Sequence, residues 1–278
     1  AFPYPNLTRV TREDSDAIFA YLKSLPPVAH AQPAATVGFP FRTDLALRVW
    51  RALYFRPGEA TTDPSRSPQW NRGAYLVEGL GHCNACHGAR TWLGGTDAGA
   101  GYAGAALQEL GWEAPALGSD RPLDDAQAAE LRELLATGVS TRDIMTGPMA
   151  EVVFHSLQHL RDDDVAAIVD YLRALPPGRA RVGRLGPRVV DEQADTLRER
   201  GAAVYREQCS DCHGEDGRGK PRVYPALAGN RLVTAESAHN ALRTVLFGGF
   251  PPATLGNPRP YGMPPYAHRL SATDVAAV

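Results

Sequence analysis

One pattern of apolar and polar positions occurs along the chain more than once. From Asp163 to Pro177 the residues Ile168, Leu172 and Leu175 fall at i, i+4 and i+7, one face of a helix. Acidic residues open that stretch and Pro176-Pro177 follow it, the expected start and stop signals. The same order runs from Glu13 to Pro27, at a constant offset of 150 residues. It begins again at Thr273-Asp274-Val275-Ala276-Ala277-Val278. A second repeat precedes these helices. Arg72-Gly73-Ala74-Tyr75 leads into Cys83, and Arg200-Gly201-Ala202-Ala203-Val204-Tyr205 leads into Cys209. Gly201, Tyr205 and Cys209 are spaced four apart, so the glycine opens that helix face to a crossing helix. Phe41 to Phe55 predicts one more helix, with Leu45, Val49, Trp50 and Leu53 on one side. Packing between domains is the expected use of that side, ahead of lying on a membrane surface.

Length and charge narrow the function. A chain of 278 residues predicts about two domains. The formal charge of −2 argues against nucleic-acid binding and against a polybasic membrane patch. No apolar run is long enough for a spanning helix. The loop Gly214-Glu215-Asp216-Gly217-Arg218-Gly219-Lys220 is expected to be flexible; no strand precedes it, so phosphate binding is not supported.

The four cysteines carry the chemistry. They form Cys83-Asn84-Ala85-Cys86-His87 and Cys209-Ser210-Asp211-Cys212-His213, two copies of C-x-x-C-H with no cysteine left over. This is the attachment signature of c-type haem: two thiols form thioethers and the adjacent histidine becomes the proximal iron ligand. A disulfide framework needs no histidine after each second cysteine, and redox C-x-x-C or half a zinc site would suit one copy rather than two, each followed by a candidate second ligand. Haem attachment of this kind places the chain outside the reducing cytosol. Pro115-Ala116-Leu117-Gly118 and Pro225-Ala226-Leu227-Ala228-Gly229 follow the two motifs. The carbonyls of Pro115 and Pro225 are candidate acceptors for the proximal imidazole N–H; a plain turn is the alternative.

Three methionines are available for the sixth iron position: Met145, Met149 and Met263. Met149 in Gly147-Pro148-Met149-Ala150 and Met263 in Tyr261-Gly262-Met263-Pro264 are each expected in a Pro/Gly loop before a closing helix. Pro148 favours a loop at Met149, with a helix over 151–160 leading away, and Met145 is expected on a short helical turn. Met149 and Met263 are therefore the expected ligands. His82, His155, His159 and His268 are rivals, with His155 and His159 expected to share a helix face.

Three stretches resemble the multihaem cytochrome c subunits of periplasmic membrane-associated dehydrogenases. They are Trp70 through Cys83, Gly147-Pro148-Met149-Ala150-Glu151-Val152-Val153, and Ser156-Leu157-Gln158-His159-Leu160. The resemblance implies an all-α fold of tandem class I cytochrome c domains. Residues 1–27 would be the tail of a preceding domain, 28–68 a linker with one helix, and 69–177 a cytochrome c domain. Residues 178–194 would be a second linker, and 195–278 a further domain that is incomplete at its C-terminus. Material beyond both ends, including a third haem, is expected. Phe2-Pro3-Tyr4 stands where the family commonly has Met-Pro-Tyr or Phe-Pro-Tyr, and phenylalanine cannot ligate iron.

The resemblance also implies two haem c groups in this chain, with His87, Met149, His213 and Met263 on iron. Electrons would enter from a catalytic dehydrogenase subunit, whether quinoprotein, flavoprotein or molybdoprotein. They would leave to ubiquinone or a terminal oxidase at the outer face of the cytoplasmic membrane. Saturated irons activate no substrate, so the chain is expected not to be an enzyme itself. A dihaem peroxidase with one open iron is the alternative.

Overall fold

A computed structural model of the chain describes residues 3–31, 38–118, 122–177 and 191–278. The expected linker 178–194 falls for the most part outside the described residues. The chain divides into two compact units. The first comprises Ala1–Ala105, Pro115–Asp120 and Asp170–Ala180; the second comprises Ala106–Ala114, Arg121–Val169 and Arg181–Val278. These units cut across the residue ranges suggested by the sequence repeat.

In the first unit, α1 (Tyr4–Leu7) and α2 (Arg12–Ser24) precede α3 (Asp44–Tyr54). Thr11 caps α2 by accepting from the Asp14 N–H, and Thr43 caps α3 by accepting from the Ala46 N–H. The sequence pattern placed α3 correctly but not its packing. Trp50 donates its indole N–H to the Leu93 carbonyl at 3.1 Å. Leu45, Val49 and Leu53 are exposed rather than packed. On α2 the residues Ile18, Phe19, Tyr21 and Leu22 are exposed as well. In α8 (Asp162–Arg173), the helix with the same pattern, whose residues up to Val169 belong to the second unit, Val165, Ile168, Tyr171 and Leu172 are buried.

After α4 (Pro68–Tyr75) the chain widens into a π-helical segment, Leu76–Leu80, and then enters α5 (Asn84–His87). Val77 is fully buried within that wide turn. The all-α expectation needs one amendment: strands β1 (Ala105–Leu107) and β2 (Trp112–Ala114) pair as a two-stranded sheet. Their turn closes through the Leu110 N–H on the Leu107 carbonyl and the Gly111 N–H on the Gln108 carbonyl. The chain is otherwise helix-rich.

The second unit holds α6 (Asp125–Thr137), α7 (Pro148–His155), α9 (Asp191–Gln208), α10 (Ser210–His213), α11 (His239–Phe247) and α12 (Ala272–Ala277). Asp124 and Gln127 form a capping box on α6, and Gly138 ends it in the left-handed conformation at φ +81°. Helix α9 starts at Asp191, four residues before the expected domain boundary. It crosses α12 at Gly201, where a Cβ would collide with the Ala277 carbonyl oxygen. Ser271 and Asp274 form the capping box of α12, and the Asp274 carboxylate also accepts from Arg200 Nε at 2.7 Å.

Two outcomes follow from this crossing. Gly201→Ala should lower stability by about 1–3 kcal/mol in denaturant unfolding, because the added methyl has no room. The second concerns acid. Hydrogen bonds from Ser271 and Arg200 lower the Asp274 pKa from 3.8 to about 2. A depressed carboxylate pKa contributes stability above the unfolded value and loses it as pH falls through the folded value. Thermal stability should therefore drop between about pH 4 and pH 2, and Asp274→Asn should flatten that part of the profile.

Candidate functional site

Each C-x-x-C-H motif is wound into a single helical turn. The His87 N–H donates to the Cys83 carbonyl at 2.8 Å, and the His213 N–H to the Cys209 carbonyl at 3.0 Å. The four thiols are all free of disulfide bonds; Cys86 and Cys212 are exposed, Cys83 and Cys209 half-buried. Burial pushes the Cys83 thiol up to about 11 and raises that of Cys209.

The two histidines have matching surroundings. His87 Nδ1 lies 2.8 Å from the Pro115 carbonyl oxygen, and His213 Nδ1 lies 3.0 Å from that of Pro225. A carbonyl only accepts, so Nδ1 carries the proton in both rings and the Nε2 lone pair is left for a metal. The His87 carbonyl accepts from the Gly104 N–H at 2.8 Å, and the His213 carbonyl from the Gly219 N–H at 2.7 Å. Both glycines have positive φ, +83° and +66°. At Gly219 a Cβ would also lie 2.6 Å from the Pro225 oxygen, so only glycine leaves that acceptor in place. Two residues beyond each proline, the Leu117 N–H donates to the Tyr102 carbonyl and the Leu227 N–H to that of Gly217. The loop 214–220, expected to be flexible, thus folds back tightly on His213 through Gly214, Gly217 and Gly219, all at positive φ. Burial lowers the His87 pKa, against the hydrogen bond to Pro115, which favours the neutral ligating form.

Around Cys83 the first unit builds a polar frame that the sequence did not suggest. Glu78, in the π-helical segment, pairs with Arg9 at 3.0 Å and accepts from the Tyr171 hydroxyl at 2.5 Å. Asn6 is buried and donates to the Glu78 carbonyl at 3.0 Å and to Asn84 Oδ1 at 2.6 Å. Residues near the chain start therefore hold the Cys83–His87 turn directly. Tyr75 donates to Asp14 Oδ2 at 2.5 Å.

The candidate sixth ligands differ from expectation in their local structure. Met149 sits not in a loop but in the first turn of α7, after Gly147 at φ +57°, ψ −146°. A Cβ on Gly147 would lie 2.8 Å from the Trp112 ring. Met145 is on an extended segment rather than a helical turn, and its N–H donates to the Gly138 carbonyl at 2.8 Å. Met263 pairs with Gly249 through backbone bonds of 2.8 and 3.0 Å, and all three methionines are half-buried. Among the rivals, His155 and His159 do not share one helix. α7 ends at His155, Ser156 breaks the chain direction, and Leu157–His159 form a separate 3-10 turn. Proline and glycine are absent there, so nothing in the sequence marked the break. His155 is exposed and lies 3.3 Å from Glu151. His159 and His268 are exposed, and so is His82, which has a left-handed backbone at φ +37°.

No described helix is long and apolar enough to cross a membrane. The cytochrome c family model matches residues 198–278. Over 286 residues the chain is 38% identical to a nicotinate dehydrogenase component of Pseudomonas putida, covering 99% of this chain and 23% of that protein. It is 33% identical to the cytochrome c subunit of alcohol dehydrogenase (quinone) of Gluconacetobacter polyoxogenes, over all of this chain and 62% of that protein. It is 34% identical to the gluconate 2-dehydrogenase cytochrome c subunit of Pantoea cypripedii, over all of this chain and 66% of that protein. The chain thus spans about a quarter to two thirds of the length of these relatives. With a cytochrome c domain at residues 198–278, the chain is a homologue of the cytochrome c subunits of alcohol, fructose and gluconate dehydrogenases and of a nicotinate dehydrogenase component.

Proposed function

We propose that this chain is an electron carrier with two covalent haem c groups, one at Cys83/Cys86/His87 and one at Cys209/Cys212/His213. The duplicated hydrogen bond from His Nδ1 to a proline carbonyl carries the reading, because it leaves Nε2 free twice in the same setting. When bound, haem c supplies a one-electron iron couple. The cysteine pairs would anchor it, the histidines would ligate its iron, and the Pro115 and Pro225 carbonyls would fix the rings. Met263 is proposed as the sixth ligand in the C-terminal domain. Met149 is proposed for the haem of His87 on sequence position alone. Thioether ligation would leave no open iron position, so the chain would pass electrons and transform no substrate itself.

The relatives' names support a catalytic dehydrogenase subunit as the electron donor. The electrons would pass to ubiquinone or a terminal oxidase, with the chain periplasmic and associated with the membrane. Residues 69–177 and 195–278 are proposed as tandem cytochrome c domains. The exposed apolar face of α2, against the buried one of α8, supports reading residues 1–27 as the tail of a preceding domain.

Mass spectrometry of chain matured in a periplasm should show two haem additions, at the two cysteine pairs; one or none overturns the proposal. Met149→Ala should abolish the sulfur-to-iron absorption band of one haem and lower its potential, while Met145→Ala should leave the band intact. Gly147→Ala should also weaken the band, since alanine meets both a glycine-only backbone conformation and the Trp112 ring.

A further inference from the structure

The peptide unit joining Pro225 to Ala226 is hydrogen-bonded on both sides. Its carbonyl faces His213 Nδ1 at 3.0 Å, and its N–H donates to the Arg142 carbonyl at 2.9 Å. Arg142 lies in a loop 84 residues before Ala226, between α6 and α7. That loop is fixed. Ser140, almost fully buried, accepts from the N–H groups of Arg142 and Asp143 at 3.3 and 3.0 Å. Asn230 locks the two loops together by donating from Nδ2 to Asp143 Oδ1 at 2.6 Å and to the Ala226 carbonyl at 3.0 Å.

We propose that the Arg142–Asp143 loop tunes the iron bound by His213 through this peptide relay, with Asp143 and Asn230 as the positioning residues. This rests on the reading of His213 as a haem ligand. A peptide whose N–H is engaged carries more negative charge on its carbonyl oxygen, because hydrogen bonds in a chain polarise one another. A more negative Pro225 oxygen draws the Nδ1 proton of His213 more strongly. The imidazole then donates more charge through Nε2 and favours ferric iron, which lowers the potential. Residues in the repeat that carries the first C-x-x-C-H motif thereby set a property of the second haem. Two successive carriers would have their potentials matched by a fixed backbone contact rather than by a ligand change.

The test uses the full haem-loaded chain and spectroelectrochemical titration, with the ferric His213 ring-proton resonances as a second readout. Asp143→Leu removes the acceptor for Asn230, Asn230→Ala removes the donor, and Asp143→Asn keeps an acceptor oxygen while removing the charge. Asp143→Leu and Asn230→Ala should each raise the potential of the His213 haem. At the wild-type midpoint, the ratio of reduced to oxidised haem should rise on the order of threefold. The ring-proton resonances should move with it, the other haem should stay unchanged, and Asp143→Asn should remain near wild type. No shift in either variant, a downward shift, an equal shift in both haems, or as large a shift in Asp143→Asn overturns the proposal. Wild-type protein without haem at Cys209 and Cys212 would instead overturn the ligand reading itself. Should Asp143→Leu not fold, Asn230→Ala with Asp143→Asn decides the matter alone.

Discussion

The direction of one imidazole proton governs both C-x-x-C-H turns. With Nδ1–H held on a proline carbonyl, each ring is fixed in tautomer and orientation. Without that bond the ring could turn about its side-chain torsions, and the neighbouring thiols would define only a porphyrin edge. Most of the irregular backbone near each site serves the acceptor. Gly219 leaves room beside the Pro225 oxygen, and the Leu117 and Leu227 N–H groups tie the chain that follows each proline. Neutral imidazole and free thiols are the forms that haem attachment and ligation require.

The helices supply rigidity rather than chemistry. Gly201 lets α9 and α12 approach to backbone contact, and α9 runs directly into the Cys209 turn. In the other unit the corresponding stiffness comes from polar groups. Glu78 is shared between Arg9 and Tyr171, and Asn6 reaches both its carbonyl and Asn84. A half-buried ion pair with both carboxylate oxygens engaged fixes geometry even where its net stabilisation is small. The two C-x-x-C-H motifs thus have the same local turn on differently built supports.

The parts of this arrangement that were legible in the sequence are the local and repeated ones. C-x-x-C-H and Pro-Ala-Leu each occur twice and pointed to the imidazole acceptors. Threonine and serine caps bounded α2, α3 and α12 close to the predicted ends. The misses have physical reasons. Pro148 reads as a loop signal, yet proline also suits the first position of a helix, which is where it stands before Met149. The apolar stripe of α3 announced a buried face, but amphipathic spacing does not say what covers it. The break at Ser156 and the bond from Ala226 to Arg142 involve backbone groups that any residue provides, so neither leaves a mark in residue type.

The π-helical segment resolves a length mismatch between the two halves of the internal repeat. Ten residues separate Gly73 from Cys83, but eight separate Gly201 from Cys209. Two extra residues in a regular helix would rotate the cysteine pair by about 200° at 3.6 residues per turn. The wide turn at Leu76–Leu80 takes up part of that excess, and the left-handed His82 takes up more just before Cys83. An insertion that would have misdirected the motif is absorbed as a local widening of the helix. Its by-product is a carboxylate link: the widened turn carries Glu78 to Arg9 and Tyr171.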